Sequence, residues 1–186
     1  MMLDSIYHRG PDDCSSYLDG AFIGGMRRLS INDIDGGAQP LFNHDKSVVV
    51  FYNGEIYNSE ILRQKLKSKG KIFNTNTDGE VIAHLYEDVG ESVFEYLDGM
   101  FAVAIWDKKN KALVLARDIP GEKPLYYINS GDKLAFASEI KALEKISSFS
   151  FTLNRQSIWD YPTFLWIPEP STVYNEIEAL PRGHYM

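Results

Sequence analysis

The run Val48-Val49-Val50-Phe51-Tyr52, followed at once by Asn53-Gly54-Glu55-Ile56-Tyr57-Asn58, constrains the fold more than any other part of the sequence. Five consecutive apolar or aromatic residues, three of them β-branched, describe a strand buried on both faces. Asn53-Gly54 then predicts a sharp backbone reversal where that strand ends. The dipeptide is either a plain hairpin or strand-to-helix turn, or a polar site at the end of a core strand. In the second case the Asn53 side-chain amide and the unencumbered Gly54 backbone N–H would hold a developing oxyanion.

A chain of 186 residues, 44% of them hydrophobic, is long enough for one well-packed domain and short for two. Nineteen basic against 26 acidic side chains leave a formal charge of −7, which argues against a nucleic-acid or anionic-membrane surface. No apolar run reaches the length of a membrane span, and no basic segment followed by an apolar one marks a signal peptide, so a cytoplasmic protein is expected. The single cysteine, Cys14, excludes an intramolecular disulfide framework and a multi-cysteine zinc site. His8, His44, His84 and His184 are scattered and make no i, i+4 pair, which argues against a metal site. No Gly-rich phosphate loop is present, and no cofactor is expected in this chain.

Taken in order, residues 2–7 carry apolar groups at the spacing of one helical face and read as the last turns of a helix, ended by Gly10-Pro11. Residues 21–25 form a short strand that delivers Arg27-Arg28-Leu29-Ser30-Ile31. Ser59 is placed to cap a helix stopped by Gly70, and Thr77 or Asp78 to cap a second one with the stripe Val81, Ile82, Leu85 and Val89. Residues 100–106 and 112–116 predict a hairpin apolar on both faces, and residues 125–128 and 134–137 a second. Ser138 is expected to cap a short helix, and another runs from Asn154 to about Tyr161. The aromatic, proline-rich remainder has little core of its own and reads as a connection to something else.

The segments His8-Arg9-Gly10-Pro11-Asp12, Arg28-Leu29-Ser30-Ile31, Gly37-Ala38-Gln39-Pro40, Asn53-Gly54-Glu55-Ile56-Tyr57-Asn58 and Thr77-Asp78-Gly79-Glu80-Val81-Ile82 together resemble the class II glutamine amidotransferase domain. Gly99-Met100-Phe101-Ala102-Val103-Ala104-Ile105-Trp106-Asp107, Ala116-Arg117-Asp118, Lys123-Pro124-Leu125-Tyr126-Tyr127 and Ala137-Ser138-Glu139-Ile140-Lys141 look like the glutamine-hydrolysing asparagine synthetases within that class. The resemblance implies an α+β N-terminal-nucleophile hydrolase fold, a four-layer αββα sandwich of two antiparallel sheets. It also implies hydrolysis of glutamine to glutamate, with the ammonia passed to a second domain that amidates an ATP-activated aspartate.

By the same resemblance, Arg28 would pair with the α-carboxylate of glutamine, for which a planar guanidinium suits better than an ammonium. Asp78 would hold the α-ammonium, Asn53 and Gly54 would form the oxyanion hole, Glu55 matches a substrate-contacting acid, and the backbone around Leu29 and Ile31 would line the pocket. The family's nucleophile is an N-terminal cysteine whose own α-amine serves as base. This sequence begins Met1-Met2, and Cys14 follows the His-Arg-Gly-Pro motif instead of preceding it, so the chain as given is expected not to hydrolyse glutamine. Asn32, Ile119-Pro120 and Glu122 depart from the family pattern at the pocket rim and beyond Ala116-Arg117-Asp118.

These features assign residues 1–153 to a glutaminase domain and 154–186 to a linker toward a synthetase domain, to which alone ATP and Mg2+ would belong. Glutamine is the expected small-molecule ligand and a homo-oligomer is conceivable, since a sheet edge left unpaired is a template for self-association. The competing readings are a non-catalytic structural or partner-binding module, and an amidotransferase serving another acceptor.

Overall fold

The computed structural model describes residues 1–29 and 37–186. The long apolar strand is the axis of the molecule. It runs as β4 (Val48–Ile56) and lies between β3 (Leu41–Phe42) and β5 (Gly99–Asp107), with β6 (Ala112–Arg117) beyond, all antiparallel. Alternation along β4 separates two cores. Val48, Val50, Tyr52 and Ile56 face α2 (Ser59–Ser68) and α3 (Glu80–Val89), packing with Leu62, Leu66, Val81 and Ile82. Val49 and Phe51 face the opposite way, onto β2 (Phe22–Arg28) and the segments around Leu125, Phe136 and Leu180.

That second β layer consists of two antiparallel pieces. One is the hairpin of β1 (Asp13–Asp19) with β2; the other is β8 (Leu134–Ala137), β7 (Tyr126–Asn129) and β9 (Glu178–Ala179), in that order. A third cluster, Ile128, Leu143 and Ile177 with Met2 and Ile140, places α1 (Met2–Ser5) and α4 (Ile140–Leu143) on its outer side. The layer order is therefore helix, sheet, sheet, helix, an α+β architecture built from antiparallel strands. Strand β1 is polar and half-exposed, and for that reason its sequence carries no apolar signature.

Several local expectations are corrected. Asn53-Gly54 makes no reversal: both lie inside β4, opposite Ala102 and Phe101, and the chain turns only after Ile56. Gly54 has φ +154°, and a Cβ there would sit 2.0 Å from the Met100 carbonyl oxygen. The glycine serves a close approach of two backbones instead of a turn. The cap position of α2 is Asn58, not Ser59, and its side chain instead bridges the Tyr96 carbonyl and the Asp98 N–H. Gly79 and Glu139 occupy the cap positions of α3 and α4 without side-chain capping bonds. Asn154 does cap α5 (Arg155–Phe164), accepting the Ser157 N–H.

Residues 154–186, expected to have little core of their own, contribute to these layers. β9 pairs with β7, Leu180 joins the second core, and Tyr185 bridges to Ala116 while Met186 and Leu115 exchange backbone bonds at 2.9 Å. Arg117 secures that arrangement. It is buried and donates to the carbonyls of Gly121, Lys123 and Leu180 and to the Glu169 carboxylate. Exposed Trp159, Leu165 and Trp166 lie on and after α5.

Candidate functional site

A cleft of about 360 Å3 opens between the two β layers. Strand parity decides which side chains point between the layers. On β4, Asn53 and Glu55 share the face of Phe51 and so point between the layers. On β2, Phe22, Gly24, Met26 and Arg28 face inward, whereas Arg27 turns out to the Leu3 carbonyl, the Asp4 carboxylate and the Tyr7 ring. Arg28, Leu29, Asn53, Gly54, Glu55 and Asp78 all line the cleft, so the positions drawn from separate motifs come together. Leu29 and Glu55 are exposed at its rim, and Ile31 lies outside the described residues.

The backbone of β4 is arranged so that one edge faces the cleft. Phe101, opposite Gly54, spends its N–H on the Asp118 carboxylate and its carbonyl on the Asp118 N–H, so Gly54 and Phe101 are a non-hydrogen-bonded pair. Residues 52, 54 and 56 thus turn their N–H groups away from β5. The Tyr52 N–H goes to Gln39 Oε1 and the Ile56 N–H to Asp78 Oδ2, each at 2.7 Å. The Gly54 N–H points to the same edge, between those two. Beside it, Asn53 Nδ2 is buried with no hydrogen-bond partner among the described residues. Two N–H donors on adjacent residues, one of them orphaned, is the arrangement an anionic or carbonyl oxygen would satisfy.

Asp78 is placed by tertiary contacts. Its Oδ2 accepts the Tyr52 hydroxyl and the Ile56 N–H, both at 2.7 Å, which corrects its reading as a helix cap. The loop before it is fixed from behind. Arg63 donates to the Thr75 and Thr77 carbonyls, and Glu80, 1% exposed, accepts the Asn74 and Thr75 N–H groups at 2.8 Å and the Thr75 hydroxyl at 2.6 Å. Burial acts to raise the Glu80 pKa, but His84 and these N–H donors outweigh it and hold the carboxyl at about 2.

Arg28 is braced by the His8–Asp12 motif. A Cβ on Gly10 would lie 2.4 Å from the Arg28 backbone nitrogen, and the Asp12 N–H donates to the Arg28 carbonyl at 3.2 Å. His8 and Arg9 both reach Glu139, at 2.8 and 3.2 Å, closing the motif onto α4. Arg9 and Lys123, each carried by a motif quoted above but not placed among the expected site residues, also line the cleft. The cleft thus presents cations and carboxylates together with neutral N–H donors, as a zwitterionic amino acid with a polar tail requires. Among the described residues no cluster of His, Cys, Asp and Glu could hold a metal ion, and no helix is long and apolar enough to cross a membrane. Cys14 faces outward on β1, opposite Arg27, and is absent from the cleft lining.

Comparison with known proteins agrees with this geometry. A family model described as a glutamine amidotransferase domain matches residues 1–186. The glutamine-hydrolyzing asparagine synthetase 1 of Bacillus subtilis (strain 168) is 40% identical over 182 residues, covering 98% of this chain and 29% of the relative. The glutamine-hydrolyzing asparagine synthetase 2 of Arabidopsis thaliana is 49% identical over 137 residues, covering 73% of this chain and 23% of the relative. The chain spans less than a third of the length of these relatives. Among solved structures, the glutamine phosphoribosylpyrophosphate amidotransferase of Bacillus subtilis, complexed with ADP and GMP, superposes with a TM-score of 0.54 at 28% identity, covering 64% of this chain and 28% of that one. With a family match along its whole length and relatives of one kind at 40–49% identity, the chain belongs to the class II glutamine amidotransferase domains, of the type found in asparagine synthetases, and has the N-terminal-nucleophile hydrolase fold.

Proposed function

We propose that the cleft between the β layers binds glutamine. Arg28 takes the α-carboxylate, Asp78 the α-ammonium, and Asn53 Nδ2 with the Gly54 N–H the side-chain carbonyl oxygen, while Glu55 and Leu29 close the rim. The observation that carries this reading is the buried, unpartnered Asn53 Nδ2 in a cleft that Arg28 and Asp78 also line. In this role the domain belongs to an asparagine synthetase, in which, once a nucleophile is supplied, the ammonia would pass to a separate synthetase domain where ATP and Mg2+ would activate aspartate.

Attack on the bound amide needs a nucleophile, and no described residue lining the cleft is a cysteine. The described chain is therefore proposed to bind glutamine, with turnover awaiting a thiol brought to the Asn53 end of the cleft. Thermal unfolding with added L-glutamine tests the binding step. At 100 times Kd, a ligand specific for the folded state stabilises by about 2.7 kcal/mol, or roughly 5–10 °C for a domain of this size. The rise should be absent with L-asparagine and in Arg28→Ala. An Arg28→Ala protein that responds like the parent would overturn the assignment.

A further inference from the structure

The Asp78 carboxylate is held by a residue that lies outside the motif carrying it. Tyr52 is buried on the helix-facing side of β4, and its ring is wedged against the start of α3. A Cβ on Gly79 would stand 2.5 Å from the Tyr52 ring, so glycine at that position is what lets the ring lie there. The Tyr52 backbone is fixed on its other side by Gln39, whose side-chain amide donates to the Tyr52 carbonyl and accepts its N–H, both at 2.7 Å. From that clamped position the hydroxyl donates to Asp78 Oδ2.

We infer that Tyr52, locked by Gln39, is a positioning residue for substrate recognition: it fixes one oxygen of Asp78 so that the other faces the ligand's α-ammonium. The inference rests on the glutamine reading of the cleft. A carboxylate carried on the loop before α3 could rotate about its own side chain. Two donors converging on Oδ2, the Tyr52 hydroxyl and the Ile56 N–H, remove that freedom before the ligand arrives. The hydroxyl is suited to the task. Burial, and then the charge of Asp78, push the Tyr52 pKa well above the ordinary tyrosine value, so the group remains a donor throughout the working pH range. With phenylalanine at 52, Oδ2 would keep a single donor and the carboxylate would be free to turn away from the amine. The effect falls on the amine of the ligand: Tyr52 borders the cleft, but its ring lies on the face of β4 opposite Asn53 and Glu55 and its hydroxyl is spent on Asp78.

The test compares two ligands that differ only in the α-amine, L-glutamine and 4-carbamoylbutanoate, by calorimetric titration of the parent chain, Tyr52→Phe and Asp78→Asn. Urea unfolding of each variant establishes that it is folded. The parent should prefer glutamine, Asp78→Asn should lose that preference, and Tyr52→Phe should lose about tenfold of it while binding 4-carbamoylbutanoate as before. Tyr52→Phe keeping the full preference, or weakening both ligands equally as general loosening would, overturns the positioning role and leaves the glutamine reading intact. A parent chain that binds neither ligand, or shows no preference between them, overturns the glutamine reading and the positioning role with it.

Discussion

Glu80 reaches back from the first turn of α3 to hold Thr75 twice, accepting its backbone N–H at 2.8 Å and its hydroxyl at 2.6 Å. With the Asn74 N–H also on Glu80, and Arg63 gripping the carbonyls of Thr75 and Thr77, the loop that delivers Asp78 is fixed by buried ionic groups.

This clamp makes stability depend on acid in a defined direction. The folded Glu80 carboxyl is held at about 2 against an ordinary 4.5, so its stabilisation is present above about pH 4.5 and is lost as pH falls toward 2. The full difference is on the order of 3 kcal/mol. In Glu80→Gln, one backbone N–H would meet an amide NH2 instead of an oxygen, costing about 2–3 kcal/mol at neutral pH. Urea titrations at pH 7 and pH 3 should show the parent and variant converging on acidification. A constant gap between them would mean that the fold does not hold the Glu80 carboxyl below its ordinary value.

Arg117 ties the end of β6 to the 121–123 turn and to the crossing of residues 169–180. Its guanidinium is buried and meets three carbonyls and one carboxylate. Removing it leaves those acceptors without their donor, so Arg117→Ala should lose about 3–5 kcal/mol of unfolding free energy. Arg117→Lys should recover only a minor part, because a single ammonium cannot reach a fork of four acceptors. Denaturant midpoints of the two variants check this.

Gly54→Ala should be among the most damaging single changes in the chain. The added Cβ meets a backbone carbonyl at 2.0 Å and the residue sits at φ +154°, so neither a rotamer change nor a small shift relieves it. A loss of about 2–5 kcal/mol is expected from strain and steric overlap together. Gly70→Ala is the matched control: φ is +86° there, but nothing lies within 4 Å of the new Cβ, so it should cost only the strain. Equal midpoints for the two variants would contradict the close-approach account.

The sequence made the long strand, both later hairpins and the helices legible, because each carries a period or an apolar run. Through a resemblance carried by several motifs in order it also grouped Arg28, Asn53, Gly54 and Asp78, all of which line one cleft. What it hid was what depends on tertiary approach. Asn53-Gly54 has turn chemistry, yet the glycine answers to the Met100 carbonyl across a sheet. Asp78 has capping chemistry, yet its oxygen is claimed by Tyr52, 26 residues away in sequence. Tyr52 itself read as one more apolar strand residue, and Gln39 as part of a motif without a role. Strand β1, Asp13–Asp19, alternates half-buried with exposed positions using Ser, Asp and Cys, and no hydrophobic period announces it.

Asn53 offers the sharpest separation of stability from function. A buried amide N–H without a partner is a standing cost of about 1–3 kcal/mol to the ligand-free fold, because its hydration is lost and nothing replaces it. Truncating the side chain removes that cost together with a few packing contacts, and the two effects oppose each other. Asn53→Ala should therefore change the unfolding free energy of the ligand-free chain by less than about 1 kcal/mol, in either direction. The same change deletes the donor aimed at the ligand's carbonyl, so the thermal response to glutamine should fall by the equivalent of about tenfold in affinity. Asn53→Asp keeps the size but replaces the donor with an acceptor and a charge, and should abolish the response altogether. A ligand-free Asn53→Ala that is destabilised by several kcal/mol, with its glutamine response intact, would show that the amide holds the strand together and takes no part in binding.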